Sequence, residues 1–169
     1  SLTADGVNHL LKDSAGAMWV GTSTKGISIY DPYFEKFGHL RYAPNTKNAL
    51  SDPNVMKFRE TKDGSIWIAT DGSLEKLEPT TGTLTNMNKI FKSDKKFGVI
   101  AMMLDGNELY LGAQDPHAAQ GAPIYVYDTQ SQKISTHIHE PKKDGTLLKS
   151  SFIREIFKDS RGIVWVAGQ

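Results

Sequence analysis

Histidines are the residues of this 169-residue chain that could most readily bind a metal ion or transfer a proton near neutral pH. His137 and His139 lie two residues apart, so on a β-strand their side chains would share one face. A zinc site needs three or four converging ligands, and no other histidine or cysteine lies close to this pair. His9, His39 and His117 are scattered along the chain. We therefore predict no metal site and no resident cofactor.

Two turns that pair an aspartate with a glycine could either hold a calcium ion or simply reverse the chain. They run from Asp13 to Gly16 and from Asp159 to Gly162. A calcium loop of the EF-hand type needs several oxygen ligands at alternate positions and a distant glutamate, and the first turn supplies too few. Aspartate instead accepts hydrogen bonds from nearby backbone amides, and glycine provides a positive φ at the exit of the turn. We therefore predict that both turns are structural.

Four aromatic side chains that could stack on sugar rings recur at intervals of 48, 43 and 55 residues. They are Trp19, Trp67, Tyr110 and Trp165. Each lies on a short apolar segment bounded by turn signals, and a recurrence of this length indicates a propeller or a similar array of repeats. A bulky aromatic residue at one position of every repeat is typical of packing between neighbouring repeats. We therefore predict structural roles for all four.

A polar insertion in the third repeat, residues 113–123, lengthens the loop between that repeat's second and third strands. In a propeller this loop emerges on the same face as the loops that connect successive blades. Loops on a rigid scaffold are where binding residues concentrate. We predict a ligand-binding loop face, and the candidate side chains are Arg41, Asn45, Asp115, His117 and Gln120. A tolerated surface insertion without a binding role is the alternative.

The repeats predict an all-β fold. Short apolar segments joined by tight turns form antiparallel meanders, and the chain holds three complete sets of four strands and the first half of another. We predict a partial β-propeller of three four-stranded antiparallel blades plus the start of a fourth. The predicted blades span residues 1–42, 43–88, 89–140 and 141–169.

The overall composition excludes several other classes of protein. A net charge of +1 gives no support to nucleic-acid binding, which usually needs a basic excess on one face. The chain has no cysteine, which excludes disulfides and thiolate metal sites, and no apolar run approaches the ~18 residues that span a bilayer. Nothing singles out two of its 19 acidic residues as the carboxylate pair of a glycosidase. We therefore predict that this segment is not an enzyme.

The repeated pattern resembles the two-component regulator propeller repeat. That repeat has an apolar strand, an Asp-x-x-Gly turn, a tryptophan strand ending in Gly-Thr, and a strand ending in Tyr-Asp. The first repeat matches it with Asp13 to Gly16, Trp19 to Thr22 and Ile27 to Asp31. The family's phrase between blades corresponds to residues 49–55, and a weaker form stands at residues 1–3. Ala69 replaces the strand glycine in the second repeat, and Tyr110 replaces the tryptophan in the third.

The resemblance implies a location and a function. Such proteins are extracytoplasmic sensor regions of hybrid two-component systems, many of them from Bacteroides-type bacteria, with more blades, one transmembrane helix and a histidine kinase. It implies that this chain is a fragment of a larger, seven-bladed ring in the periplasm, which detects oligosaccharides released from polysaccharides. The parent protein would be a homodimer anchored in the inner membrane. A protein-interaction propeller without a small ligand and a propeller lyase or glycoside hydrolase are the alternatives.

An unfinished arc of blades would leave strand edges and apolar blade faces uncovered at both ends. Exposed edges pair readily with other chains, and apolar faces favour stacking. We therefore expect the isolated chain to associate with itself, and a solution mass of one chain at high concentration would contradict this.

Overall fold

The computed structural model describes residues 6–32, 36–91, 98–114, 122–137 and 152–168. Within these ranges the chain forms fourteen β-strands and no α-helix, and a short 3-10 helix spans Asn88–Phe91. The strands build four antiparallel sheets, three of four strands and one of two. This confirms the prediction of three four-stranded blades followed by the first half of a fourth. In the described part of the chain, no helix is long and apolar enough to cross a membrane.

Each sheet is a simple meander, because its strands lie in the order in which they occur along the chain. The first blade contains β1 (Val7–Lys12), β2 (Met18–Thr22), β3 (Ile27–Asp31) and β4 (Lys36–Leu40). The second contains β5 (Val55–Glu60), β6 (Ile66–Thr70), β7 (Leu74–Glu78) and β8 (Thr83–Asn86). The third contains β9 (Gly98–Asp105), β10 (Glu108–Gln114), β11 (Ile124–Asp128) and β12 (Lys133–His137). The fourth contains β13 (Ile153–Lys158) and β14 (Val164–Gly168). The first strands of neighbouring blades, β1, β5, β9 and β13, contact one another in that order.

The second strand of the third blade extends further than the sequence predicts. Ala113 pairs with Val99 and Gln114 pairs with Gly98, so β10 includes the first two residues of the predicted 113–123 insertion. The extension forms because the facing strand β9 is itself eight residues long and offers partners for both residues. The insertion therefore begins no earlier than residue 115, which lies outside the described residues.

An aspartate closes the hairpin between the first two strands of the first blade. The Asp13 carboxylate accepts hydrogen bonds from the Ala17 backbone amide at 2.8 Å and from the Trp19 indole Nε1 at 2.7 Å. Gly16 completes the turn with a φ of 91°, a conformation that glycine adopts without steric cost. One carboxylate therefore fixes both the turn and the orientation of the blade's largest side chain.

The residue six positions before the tryptophan decides whether the other tryptophan blades have the same hydrogen bond to the indole. In the fourth blade the Asp159 carboxylate accepts from the Trp165 indole at 3.1 Å. In the second blade Thr61 occupies that position, and its hydroxyl donates to the Asp63 carboxylate at 2.6 Å. The buried Trp67 indole Nε1 has no hydrogen-bond partner among the described residues.

The core lies between the blades rather than inside any one of them. One cluster packs Trp19 of the first blade against Phe58 of the second. Another packs Trp67 of the second blade against Met102 of the third, and a smaller cluster covers Ile156 of the fourth blade. Trp19 and Trp67 are only 3% and 2% exposed. Each blade therefore depends on its neighbours for burial, as expected for a repeat array.

Glycine on the second strand allows neighbouring blades to approach closely. A Cβ atom on Gly21 would lie 2.7 Å from Cζ of Phe58, and one on Gly112 would lie 2.7 Å from Cγ2 of Ile153. Real Cβ atoms do not come this close to other heavy atoms, so a larger residue would force the blades apart. Gly21, the glycine next to the end of the tryptophan strand in the first repeat, is therefore required by packing.

The described array carries exposed apolar side chains at its two ends. At one end Leu10 is 57% exposed, although the corresponding Phe58 of the second blade is fully buried. At the other end Phe157 and Trp165 are 59% and 55% exposed. These side chains lie where a neighbouring blade covers their counterparts elsewhere in the array. Self-association through these faces stays a prediction.

Candidate functional site

A β-bulge interrupts the first strand of every blade at the same position. In the first blade Val7 pairs with Thr22 and His9 pairs with Gly21, so the residue between them has no partner on β2. The same slip occurs in the other three blades. The four bulge residues are Asn8, Met56, Ile100 and Arg154. Bulges bend a strand and redirect a side chain, and they are common beside functional sites.

The four bulge residues line one shared hollow where the first strands of the blades meet. Its volume is about 430 Å³, and Ser23, Asn54 and Lys57 complete its lining. Ser23 follows β2 and Asn54 precedes β5, so the hollow opens at the end of the blades that carries the connecting loops. We call it the central hollow and take it as the candidate functional site, because four separate blades each direct one side chain into it.

Hydrogen bonds hold the rim of the central hollow in place. The Asn8 side-chain amide donates to Oδ1 of Asn54 at 3.0 Å and to the Val55 carbonyl at 3.0 Å. The Asn54 backbone amide donates to the Asp52 carboxylate at 2.9 Å, and its carbonyl accepts from the Asp71 amide at 3.0 Å. These contacts join β1 of the first blade to the loops before β5 and after β6 of the second blade, so the rim is preorganised.

An ion pair spans three blades beside the central hollow. Lys57 Nζ lies 2.6 Å from Oε2 of Glu155, although the two residues are 98 positions apart. Lys57 and Glu155 hold corresponding places in β5 and β13, and Ala101 holds that place in the intervening β9. Because the alanine side chain is small, the pair can form across the third blade.

Cationic groups outnumber anionic groups around the central hollow. Arg59 Nη1 lies 3.3 Å from Nε2 of His9 and donates to the Phe58 carbonyl at 2.7 Å. Burial, together with the charges of Arg59 and Lys57, lowers the pKa of His9 to about 4, so this imidazole is neutral at neutral pH and accepts from Arg59. Three cationic residues and two carboxylates therefore stand in or beside the hollow among the described residues: Lys57, Arg59, Arg154, Glu155 and Asp52.

Two of the five predicted loop-face residues lie within the described ranges. Arg41 lines a separate hollow of about 400 Å³ with Tyr42 and with Thr24 and Lys25 of the loop after β2. The loop within the blade and the loop between blades therefore meet at this point. Asn45 lies in the adjoining turn with a φ of 61° and is not part of this lining.

The remaining three predicted loop-face residues, Asp115, His117 and Gln120, lie outside the described residues. His137 ends β12, and its potential metal partner His139 also lies outside them. Within the described ranges, no group of three or more histidine, aspartate or glutamate side chains could hold a metal ion. No local pattern singles out the bulge residues, although their place is visible once the four first strands are aligned.

The predicted anchor residues differ in their surroundings. Trp19 and Trp67 are buried between blades, and Trp165 is exposed on the last described blade. Tyr110, the tyrosine of the third blade, is partly buried and donates its hydroxyl to the Glu108 carboxylate at 2.9 Å. A tyrosine at this place is thus oriented by its own strand rather than by a turn aspartate.

A larger hollow, of about 590 Å³, lies at the opposite end of the blades, among the hairpin turns. The serine, threonine and carboxylate groups in its lining have partners within the chain. The Ser14 hydroxyl donates to the Glu60 carboxylate at 2.6 Å, and the Ser14 backbone amide donates to the other oxygen at 2.9 Å. Asp63 accepts from Thr61 at 2.6 Å. The two bonds from Ser14 tie the first two blades together, so we do not take this hollow as the site.

Glu75 is a buried carboxylate at the loop end of the second blade. It is 1% exposed, and its Oε1 accepts from the Ser51 backbone amide at 2.7 Å and from the Ser73 hydroxyl at 3.1 Å. Its Oε2 has no partner among the described residues. Burial raises the pKa of Glu75, and the hydrogen bonds from Ser51 and Ser73 oppose this rise only in part.

Glu75 is expected to make the stability of the chain fall as the pH rises. Because its folded-state pKa is raised, the folded chain holds this proton more tightly than the unfolded chain, so stability is lost as the pH rises through the folded pKa. Glu75→Gln should remove this part of the pH dependence and stabilise the chain above that pKa. Urea unfolding of both proteins at a series of pH values measures it, and parallel pH profiles would contradict the assignment.

Family and structural comparisons agree with this architecture. The model of the two-component regulator propeller matches residues 1–24 and 49–72. Each matched segment contains the first strand of a blade, its bulge and the tryptophan strand. These two segments are two-component regulator propeller repeats. No curated protein sequence matches the chain significantly.

Solved structures with the same fold include extracellular domains from Bacteroides thetaiotaomicron. The extracellular domain of BT3049, described as a hybrid two-component system, matches with a TM-score of 0.73 and 19% identity over 99% of this chain and 22% of that chain. The extracellular domain of BT4673, described as a one-component system, matches with a TM-score of 0.72 and 22% identity over 99% of this chain and 21% of that chain. This chain therefore spans about a fifth of the length of either structure.

The fold also occurs in a protein that is described as part of a secretion system and not as a sensor. PorZ, a surface component of the type IX secretion system of Porphyromonas gingivalis, matches with a TM-score of 0.67 and 14% identity over 98% of this chain and 24% of that chain. At such identities the likeness shows the propeller fold and not a common activity.

Proposed function

We propose that this chain is a ligand-sensing propeller segment of an extracytoplasmic sensor in a hybrid two-component system. The observation that carries the proposal is the double occurrence of the two-component regulator propeller repeat. The similarity of nearly the whole chain to the extracellular domains of BT3049 and BT4673 supports it. The segment itself is non-catalytic, and the parent protein carries the histidine kinase and lies in the inner membrane with this segment in the periplasm.

The proposed ligands are oligosaccharides released from polysaccharides, bound at the loop end of the blades. A preorganised rim and side chains contributed by several blades support this location. Ligands that touch several blades at once can change the angles between them, and this gives a dimeric sensor a means of passing the signal on. Arg41, Asn45, Asp115, His117 and Gln120 are proposed as outer contacts of the same ligand.

Calorimetric titration of the full chain with a panel of neutral and acidic oligosaccharides tests the proposal. Binding of at least one member of the panel is expected. If no member binds, oligosaccharides are the wrong ligand class for the proposed sensor.

A protein-interaction propeller without a small ligand is the second candidate. It is favoured by the similarity to PorZ, which is described as a surface component of a secretion system. This candidate predicts no heat of binding with any oligosaccharide of the panel.

A further inference from the structure

The hollow beside Arg41, at the loop end of the first blade, contains two cationic side chains. Its volume is about 400 Å³, which is within the usual range of small-ligand sites. We call it the Arg41 hollow. Its lining in the described part of the chain consists of Thr24, Lys25, Arg41 and Tyr42, and so includes no carboxylate.

The two cationic side chains of the Arg41 hollow differ from others in the chain because they are unpaired. Neither Lys25 nor Arg41 forms an ion pair among the described residues. Four other cationic side chains do pair with carboxylates: Lys57, Lys76, Lys158 and Arg161. The sequence accounts for the difference, because residues 14–30 and 36–51 contain no aspartate or glutamate. Both charges are therefore available to a ligand.

Described carboxylates next to these two segments point away from the Arg41 hollow. Asp13 and Asp31 lie at the other end of the first blade, in the first hairpin turn and at the end of β3. The Asp52 carboxylate lies against Gly72 of the second blade, and Glu75 is buried in that blade. The hollow therefore carries an excess of positive charge, and a concave site with an excess of one sign attracts ions of the opposite sign.

Hydrogen bonds fix the backbone of both loops that form the Arg41 hollow. The Lys25 amide donates to Oγ1 of Thr22 at 3.1 Å, and this hydroxyl donates to the Gly26 carbonyl at 2.7 Å. The Leu50 amide donates to the Arg41 carbonyl at 3.0 Å, and the Leu50 side chain is fully buried. A Cβ atom on Gly26 would lie 3.5 Å from Cα of Arg41, so the two loops are in contact. The backbone is therefore preorganised, which lowers the cost of ordering it around a ligand.

The uncharged part of the lining fits a sugar ring. Tyr42 is 42% exposed, and an exposed aromatic ring can pack against the C–H face of a sugar. The Thr24 hydroxyl can both donate to and accept from sugar hydroxyl groups. The hollow thus combines an aromatic surface, a hydroxyl and two charges of the same sign.

We propose that the Arg41 hollow binds a saccharide that carries a carboxylate or a sulfate, with the anionic group between Lys25 and Arg41 and a sugar ring against Tyr42. The guanidinium of Arg41 offers two parallel donors to either anion, and the Lys25 ammonium adds a point charge. This inference rests on the proposed sensor function and specifies its ligand class.

A change of charge at Thr24 gives the sharpest test, because this side chain is exposed and uncharged. Thr24→Gln and Thr24→Glu introduce side chains of nearly the same size that differ in charge. Thr24→Gln is expected to keep the binding of acidic saccharides, and Thr24→Glu to weaken it more than about tenfold, since like charges repel at a binding site. Arg41→Gln is expected to weaken binding by about tenfold to a hundredfold, the worth of a hydrogen bond to a charged group. Tyr42→Ala is expected to weaken it by about threefold to tenfold, whereas Tyr42→Phe keeps the ring and the binding.

Arg161→Gln is the control, because Arg161 is an exposed arginine on a hairpin turn at the other end of the blades. This variant should bind like the unchanged chain. Thermal melting of every variant verifies folding.

The probes are oligogalacturonides and alginate oligosaccharides for carboxylates, chondroitin sulfate and sulfated galactan oligosaccharides for sulfates, and galacto-, xylo- and malto-oligosaccharides as neutral sugars. Calorimetry of the full chain should detect binding to carboxylated or sulfated members, and higher salt should weaken it. Binding confined to neutral sugars would overturn this inference and leave the sensor function standing. No binding at all would overturn this inference together with the proposed oligosaccharide ligand. Acidic binding that is unchanged in Thr24→Glu, Arg41→Gln and Tyr42→Ala would remove it from the Arg41 hollow.

Discussion

Replacing Phe58 with alanine is expected to lower the free energy of unfolding by about 3–5 kcal/mol, the usual cost of removing a buried phenylalanine from a core. Phe58 is fully buried and packs with Trp19 in the cluster between the first two blades. Its ring also lies where a Cβ atom on Gly21 would clash, so the two blades touch directly at this point. The loss of the ring leaves a cavity that two backbones cannot easily close. Urea unfolding followed by tryptophan fluorescence measures the change.

Leu10→Ala is the matched control for Phe58→Ala. Leu10 holds the corresponding place in the first strand of the first blade, where it pairs with Val20 as Phe58 pairs with Ile68. It is 57% exposed, so its truncation should change the free energy of unfolding by no more than about 0.5 kcal/mol. Similar losses in the two variants would show that stability comes from within single blades, and would contradict a core located between them.

Local signals were sufficient to predict most of the strands. Val7–Lys12 forms β1, because this short apolar segment is followed at once by the turn at Asp13 to Gly16. The recurrence of the tryptophan strand then set the number of blades. These features depend on hydrogen bonds and turns within about fifteen residues, and such features are readable from a single sequence.

The central hollow could not be predicted in the same way. A strict alternation of side chains along β1 gives no reason for a bulge at Asn8. The hollow also depends on contacts between distant parts of the chain, such as the ion pair of Lys57 with Glu155. That pair depends in turn on a small residue, Ala101, in the blade between them. Only the assembled blades bring these positions together.

Asp13→Ala is expected to lower the free energy of unfolding by about 1–3 kcal/mol, the cost of leaving a buried donor without its acceptor. The substitution removes the bonds from the Ala17 amide at 2.8 Å and from the Trp19 indole at 2.7 Å. Trp19 is 3% exposed, so water reaches the freed indole donor poorly. Urea unfolding measures the loss.

Asp159→Ala is the matched control, because Asp159 accepts from Trp165 at 3.1 Å in the same arrangement. Trp165 is 55% exposed, so water can take over its indole donor and the loss should be clearly smaller than for Asp13→Ala. Equal losses would show that the carboxylate acts through the turn alone, and not through the buried tryptophan.

The second blade allows the same interaction to be added instead of removed. Trp67 Nε1 is buried without a partner among the described residues, because Thr61 stands where Asp13 stands in the first blade. Thr61→Asp alone would place a second carboxylate beside Asp63. The pKa of Asp63 is held at about 2, by the Thr61 hydroxyl first and then by Ser65 and Lys76.

The double change Thr61→Asp and Asp63→Ala reproduces the first blade's turn without that repulsion. Compared with Asp63→Ala alone, the double variant should have a free energy of unfolding that is higher by about 1 kcal/mol. The reason is that the new carboxylate can accept hydrogen bonds from both the Ser65 amide and the Trp67 indole. A double variant that is less stable than Asp63→Ala alone would show that the carboxylate does not reach Trp67.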